Sequence, residues 1–253
     1  MAFSIQRTRG AEPDTAVITI WGTDEALRNA MQKRGTPVDI EAGYDDNFGL
    51  LFRGEVRRVF FQVDGAETMF KIEAGDGDKA LASQLRQQAF PRGATPEQIV
   101  ADLLDSLGAK ADDAKRKISQ LFSRNPDAQK AKQKGFSVTG LAKDTLKTVL
   151  DSFKIDYSIQ DGTVIVAEKD KPSENFPTAV SLSSTTGLIG APEQGEDGAV
   201  SVTSLLQPGI RPYRQLQLKS QSIQGTYVVS KVEHRGDTHG QDWYSIAEAT
   251  ELT

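Results

Sequence analysis

A chain of 253 residues holds about one to two average domains at ~100 to 200 residues each, and it can bury about three quarters of the surface its unfolded form exposes. It has no cysteine, which excludes disulfides, cysteine-ligated zinc, iron–sulfur clusters and thiol nucleophiles and leaves the compartment open. With 38 % hydrophobic and 26 % charged residues the composition is that of a folded globular protein, and the net charge of −5 argues against a dedicated nucleic-acid binder that works by neutralising phosphates.

Met1-Ala2-Phe3-Ser4-Ile5-Gln6-Arg7 lacks the apolar core of a signal peptide, so synthesis and residence in a cytoplasm are expected, or exit by a route that reads no signal. The longest apolar stretches, such as Val59-Phe60-Phe61, fall far short of the ~18 residues of a membrane span, and no membrane partner is expected. Val17-Ile18-Thr19-Ile20-Trp21 predicts a strand, after which Thr23 is the expected cap of a short helix with Asp24 and Glu25 in its first turn. Leu27, Ala30 and Met31 share its face and Gly35 ends it. Pro37 opens a strand in which Val38, Ile40 and Ala42 alternate, before the turn-rich stretch from Gly43 to Gly49. A strand from Leu50 to Val63 follows, with a bulge expected at Gly54 and with Val59, Phe61 and Val63 on one side; Phe70, Ile72 and Ala74 line the next.

In the middle, Leu81, Leu85 and Ala89 predict a modest helix stopped by Pro91. Thr95-Pro96-Glu97-Gln98 combines a capping threonine, a proline at the first helical position and a capping-box glutamine, and Val100, Leu103, Leu104 and Leu107 continue the helix to Gly108. Residues 109–134 set Lys110, Lys115, Arg116, Lys117, Arg124, Lys130, Lys132 and Lys134 against Asp112, Asp113 and Asp127. That pattern predicts a solvated helical or loose insertion, with a partner-binding basic arm as the other reading. Leu141, Leu146, Val149, Leu150 and Phe153 predict an amphipathic helix, and Ile155, Tyr157 and Ile159 lead through Asp161-Gly162 to Val164 and Val166, a hairpin with a type I′ turn.

From Lys171 onward no helix is predicted. A loop-rich opening carries Pro172, Pro177, Gly187, Gly190 and Pro192, and short strands follow at Val200 and Val202, Leu216 and Leu218, Val228 to Val232, and Trp243 to Ala247. Turns are expected at Pro208-Gly209, Gln224-Gly225 and Gly236 to Gly240. The predicted class is α+β, mainly β. Its domains are an N-terminal β domain (1–77), an α/β insertion (78–172) containing the charged segment 109–134, and a C-terminal β domain (173–253), the two β domains being small and barrel-like.

The only two histidines lie in His234-Arg235-Gly236-Asp237-Thr238-His239, a predicted loop. A metal reading would use His234, Asp237 and His239, but a loop gives no fixed geometry and nothing completes the shell, so a structural or surface role is expected. Arg235-Gly236-Asp237 is read as a turn. Asp45-Asp46 and Asp112-Asp113 could suggest a glycosidase pair, yet the first sits in a turn and the second in the charged insertion. Gly75-Asp76-Gly77 lacks a phosphate-loop lysine, no nucleophile elbow or dinucleotide fingerprint occurs, and aromatics are not interleaved with basic residues. On residues alone the chain reads as an assembly or binding protein with no catalytic residue, cofactor or metal site.

Two stretches resemble the central baseplate hub proteins of tailed bacteriophages, a family that also resembles the base of the type VI secretion spike. The first runs from Ile18-Thr19-Ile20-Trp21 through the helix at Asp24 to Arg34, then Pro37-Val38-Asp39-Ile40-Glu41-Ala42-Gly43-Tyr44 and Leu51-Phe52-Arg53-Gly54-Glu55-Val56. The second sets Thr186-Gly187-Leu188-Ile189-Gly190-Ala191-Pro192 before Leu205-Leu206-Gln207-Pro208-Gly209-Ile210, Gly225-Thr226-Tyr227-Val228-Val229, His234 to Thr238 and Trp243-Tyr244. Together they cover most of residues 1–75 and 180–250.

The resemblance implies a homotrimer in which the two β domains of each chain give a pseudo-sixfold ring, joining a hexameric tail tube to a trimeric spike. Its implied partners are the tail tube protein, the spike protein and other baseplate or tape-measure proteins, with DNA only as passing cargo, and its implied place is the virion tail baseplate after assembly in the host cytoplasm. Gly187, Leu188, Ile189 and Pro192 are the candidate interface, read either as a spike or neighbour contact or as a plain interdomain linker. A tail-associated cell-wall hydrolase and a tail tube or terminator subunit are the competing readings.

Overall fold

The elements of the computed structural model, which describes residues 1–64, 67–77, 85–131, 136–196 and 198–252, begin with β1 (Ala2–Thr8), β2 (Thr15–Trp21), α1 (Glu25–Met31), β3 (Pro37–Tyr44), β4 (Asn47–Asp64) and β5 (Glu67–Gly75). They continue with β6 (Leu85–Phe90), α2 (Pro96–Ser106), α3 (Asp112–Arg124), α4 (Pro126–Lys130), β7 (Phe136–Leu141), α5 (Ala142–Asp151), β8 (Ile155–Gln160) and β9 (Thr163–Glu168). The last are β10 (Val180–Ser183), β11 (Leu188–Gln194), β12 (Val200–Leu205), β13 (Gln215–Lys219), β14 (Gln224–Asp237) and β15 (Trp243–Glu251). The mainly β, α+β class holds. Two units form: a β unit from Met1–Thr8, Asp14–Asp76 and Asp170 onward, and an insertion unit from Arg9–Pro13 and Gly77–Lys169.

The β unit is one sheet with the order β11-β12-β15-β14-β1-β2-β5-β4-β3, to which β13 adds on β14 and β10 on β13. The sheet stays open, so the expected barrel closure is absent. The ends of the path, β11 and β3, do not pair with each other, and its middle holds β1, for which the sequence carried no expectation. It pairs with β2 on one side and with β14 on the other, from Ala2↔Asp237 to Thr8↔Lys231, and so joins the front and back of the chain edge to edge. One sheet therefore carries two cores. Phe3, Ile18, Leu51, Phe52, Phe70 and Ile72 build the first and Leu182, Val202, Leu216, Leu218, Val229 and Val232 the second.

Local chemistry explains the strands and two corrections. Val38, Ile40 and Ala42 alternate inward along β3 as predicted, because successive side chains of a strand point to opposite faces. Leu51 and Phe52 are adjacent yet both buried, since the register skips at Leu51, and a second skip falls at Arg57. The bulges thus flank Gly54 instead of sitting on it. Gly54 answers close approach: a Cβ there would lie 2.5 Å from Phe52 Cζ and 2.6 Å from the Gly75 carbonyl oxygen. Helix α1 is capped by Asp24, whose carboxylate accepts the Leu27 N–H at 2.7 Å, and not by Thr23. The turn expected at Gln224-Gly225 lies earlier, where Ser220 Oγ accepts the Ile223 N–H at 2.9 Å.

In the insertion unit the capping box at Thr95 forms in full, with Gln98 N–H to Thr95 Oγ1 at 3.2 Å and Thr95 N–H to Gln98 Oε1 at 3.0 Å. Asp161 (φ 52°) and Gly162 (φ 75°) make the type I′ turn between β8 and β9. Leu85 and Ala89 belong to β6, paired with β7, and not to a helix; Leu81 lies outside the described residues. The charged segment is helical but not loose. Ala114, Ile118 and Phe122 recur every four residues on α3 and are buried in the same core as Leu103, Leu104 and Leu150, while Phe122 meets Phe153 edge to face at 5.1 Å. Its charges pair across the outer face, Asp113 with Lys117 at 3.1 Å and with Arg116. Lys132 and Lys134 lie outside the described residues.

Candidate functional site

Leu188, Ile189 and Pro192 lie in a strand and not in the expected loop, with Gly187 in the turn before it. Leu188–Gln194 is β11, the strand at one end of the sheet, and Gly187 (φ 98°) supplies the turn into it. Leu188 packs against the second core and Pro192 is buried, whereas Ile189 is 43 % exposed. Between Ile189 and Glu193 the register against β12 shifts around Gly190 (φ 69°). A depression of about 700 Å³ runs beside it, where the hydroxyls of Ser183, Thr185, Ser220 and Ser222 meet Leu188 and Pro192. Loop punctuation from glycine and proline hid this strand and β10 in the sequence.

The far end of the sheet carries a second exposed surface. Phe60 is 41 % exposed, Phe61 52 % and Val63 61 %, although the alternation of Val59, Phe61 and Val63 resembles a buried face. The interleaved Arg58 and Gln62 point to the opposite face, so local alternation carried no signal that this face is exposed. Arg28 lies over the Phe61 ring at 5.2 Å and Arg58 over Phe60 at 5.9 Å, so each ring carries a cation at its face.

Between these two ends a buried polar seam ties the front of the chain to the back. Arg7 on β1 is fully buried, donates from Nε to Asp14 Oδ2 at 2.9 Å and from Nη1 to the Leu51 carbonyl at 2.9 Å. Arg211 donates to the neighbouring Leu50 carbonyl. His234, also fully buried, sits on β14 opposite Ile5 with Nδ1 2.8 Å from Ser245 Oγ, which accepts the Gln207 N–H at 3.1 Å. Burial, reinforced by the charges of Arg7 and Arg211, pushes the His234 imidazole down to about 3, so it stays neutral near pH 7.

The landmark residues of the family resemblance converge on the same seam. Trp243 donates from Nε1 to the Gly43 carbonyl at 3.4 Å, and the Tyr44 hydroxyl donates to the Trp243 carbonyl at 3.4 Å. Phe3 meets Trp243 edge to face at 5.7 Å, and a Cβ on Gly236 would come within 2.3 Å of the Phe3 ring. Leu206 joins the first core while Ile210, four residues on, joins the second. These motifs hold two β regions together.

The remaining chemical candidates stay apart. His234 faces inward from a strand, correcting its expected place in a loop, and His239 lies in the turn beyond it, where its N–H donates to Asp237 Oδ1 at 2.9 Å. Arg235-Gly236-Asp237 is strand, not turn. Asp45-Asp46 forms the two-residue turn between β3 and β4, and Asp112-Asp113 opens α3. Among the described residues no group of three or more His, Asp or Glu is placed to hold a metal ion.

The family model described as "Baseplate hub gp41" matches residues 18–249. Among solved structures, the chain is similar to the 43 kDa tail protein of prophage MuSo2 from Shewanella oneidensis, at 9 % identity over 99 % of this chain and 92 % of that one, with a TM-score of 0.65. It is similar to the tail protein from Neisseria meningitidis MC58 at 8 % identity, 99 % and 91 % coverage and a TM-score of 0.61. The third is the E. coli c3393 protein, described as a component of the type VI secretion system with structural similarity to T4 tail proteins gp27 and gp5, at 9 % identity, 100 % and 73 % coverage and a TM-score of 0.66. At such identities the likeness is one of fold. No curated protein sequence matches the chain.

Proposed function

The chain belongs to the baseplate hub gp41 family of phage tail structural proteins, and from that premise we propose that three copies close a ring that joins the hexameric tail tube to the trimeric spike. The observation that carries this reading is the single sheet with two cores. Each chain brings two β regions, front (1–77) and back (173–253), held in fixed register by the β1–β14 pairing, so three chains can offer six roughly equivalent positions. A hexamer built of one β region per chain would have no use for the buried seam. The insertion (78–172) stands outside this symmetry as a unit with its own core.

In this role the protein is not an enzyme and works in the virion baseplate after assembly in the host cytoplasm. Its interfaces do the work: the β11 edge around Leu188 and Ile189 contacts a neighbour or the spike, other baseplate or tape-measure proteins pack around the ring, and DNA passes through. The test is light scattering after size exclusion, with averaged electron micrographs of the particle. A trimer whose top view looks sixfold is expected. A monomer or a hexamer at every concentration, with or without the spike protein, overturns the reading, and loss of turbidity in a cell-wall suspension overturns the non-enzymatic role.

A further inference from the structure

We draw no further inference here: the strongest candidate, the exposed apolar patch of Phe60, Phe61 and Val63 on β4 beyond its pairing with β3, is an unpartnered face, and nothing in the structure shows what covers it.

Discussion

In the insertion unit, Leu103, Leu104, Ile118, Phe122, Leu146 and Leu150 come from helices close together in sequence and fill one core, and the charges of α3 pair along its own outer face. In the β unit, residues about two hundred positions apart or more are neighbours: Phe3 meets Gly236 across strands and Tyr44 reaches Trp243. There two cores share one sheet, a charged pair is buried between them, and apolar groups remain in the open at both ends. The insertion draws its core from neighbours in sequence, whereas the β unit draws its two cores from both ends of the chain and leaves Phe60, Phe61 and Val63 exposed. Both tryptophans and both histidines lie in the β unit and most of the helix lies in the insertion, so tryptophan fluorescence and far-UV circular dichroism follow the two separately.

The sharpest way to break the comparison is Asp14→Ala. It takes the Asp14 carboxylate away from the buried Arg7 guanidinium, and loss of one partner of a buried pair costs about 3 to 5 kcal/mol. The tryptophan-detected unfolding midpoint in urea should fall steeply while the helical signal keeps its midpoint; equal movement of both would mean that the two units unfold as one. Leu104→Ala does the reverse, removing a fully buried side chain at a cost of about 3 kcal/mol and shifting the helical transition alone.

A pH series separates the units without mutation. His234 has its folded value pushed to about 3 from the ordinary 6.5. Below about pH 6.5 the unfolded chain takes up a proton that the folded chain refuses, so the β unit loses stability as pH falls toward 3 and gains none above 6.5. Between pH 6.5 and 4.5 the loss should approach about 2 kcal/mol, since linkage is worth ~1.4 kcal/mol per pH unit. The insertion, without histidine, stays flat in that window, and His234→Gln flattens the β unit too. The smallest effect is Thr95→Ala, which removes the cap of α2 and costs about 1 kcal/mol in the helical transition only. A tryptophan signal that followed this variant would blur the distinction.

Legibility in the sequence follows the same division. The capping box at Thr95, the Asp161-Gly162 turn, the stripe on α5 and the alternation on β3 are local signals in which a few adjacent residues carry the whole energetic reason, and each formed as predicted. Leu85 and Ala89 misled because helical spacing within a short stretch yields to pairing with a strand some fifty residues away. β1 left no signal because its inward alternation of Phe3, Ile5 and Arg7 includes an arginine, which becomes an inward residue only once Asp14 and the Leu51 carbonyl meet it. Leu188 and Ile189 read as a short apolar pair among glycines, and only the pairing with β12 decides that Leu188 packs on the second core while Ile189 is exposed.

The amino-acid sequence by itself determined the mainly β class, the helical insertion with its caps and turns, and the family to which the chain belongs, because each depends on spacing between near neighbours or on landmarks in order. Only the tertiary structure decided that the front and back β regions share one open sheet, that His234 and Arg7 lie inside it, and that Phe60, Phe61 and Ile189 face outward. The physical reason is that strand pairing joins residues far apart in the chain, and a strand becomes an edge only through the absence of a neighbour, which no local pattern of residues can encode.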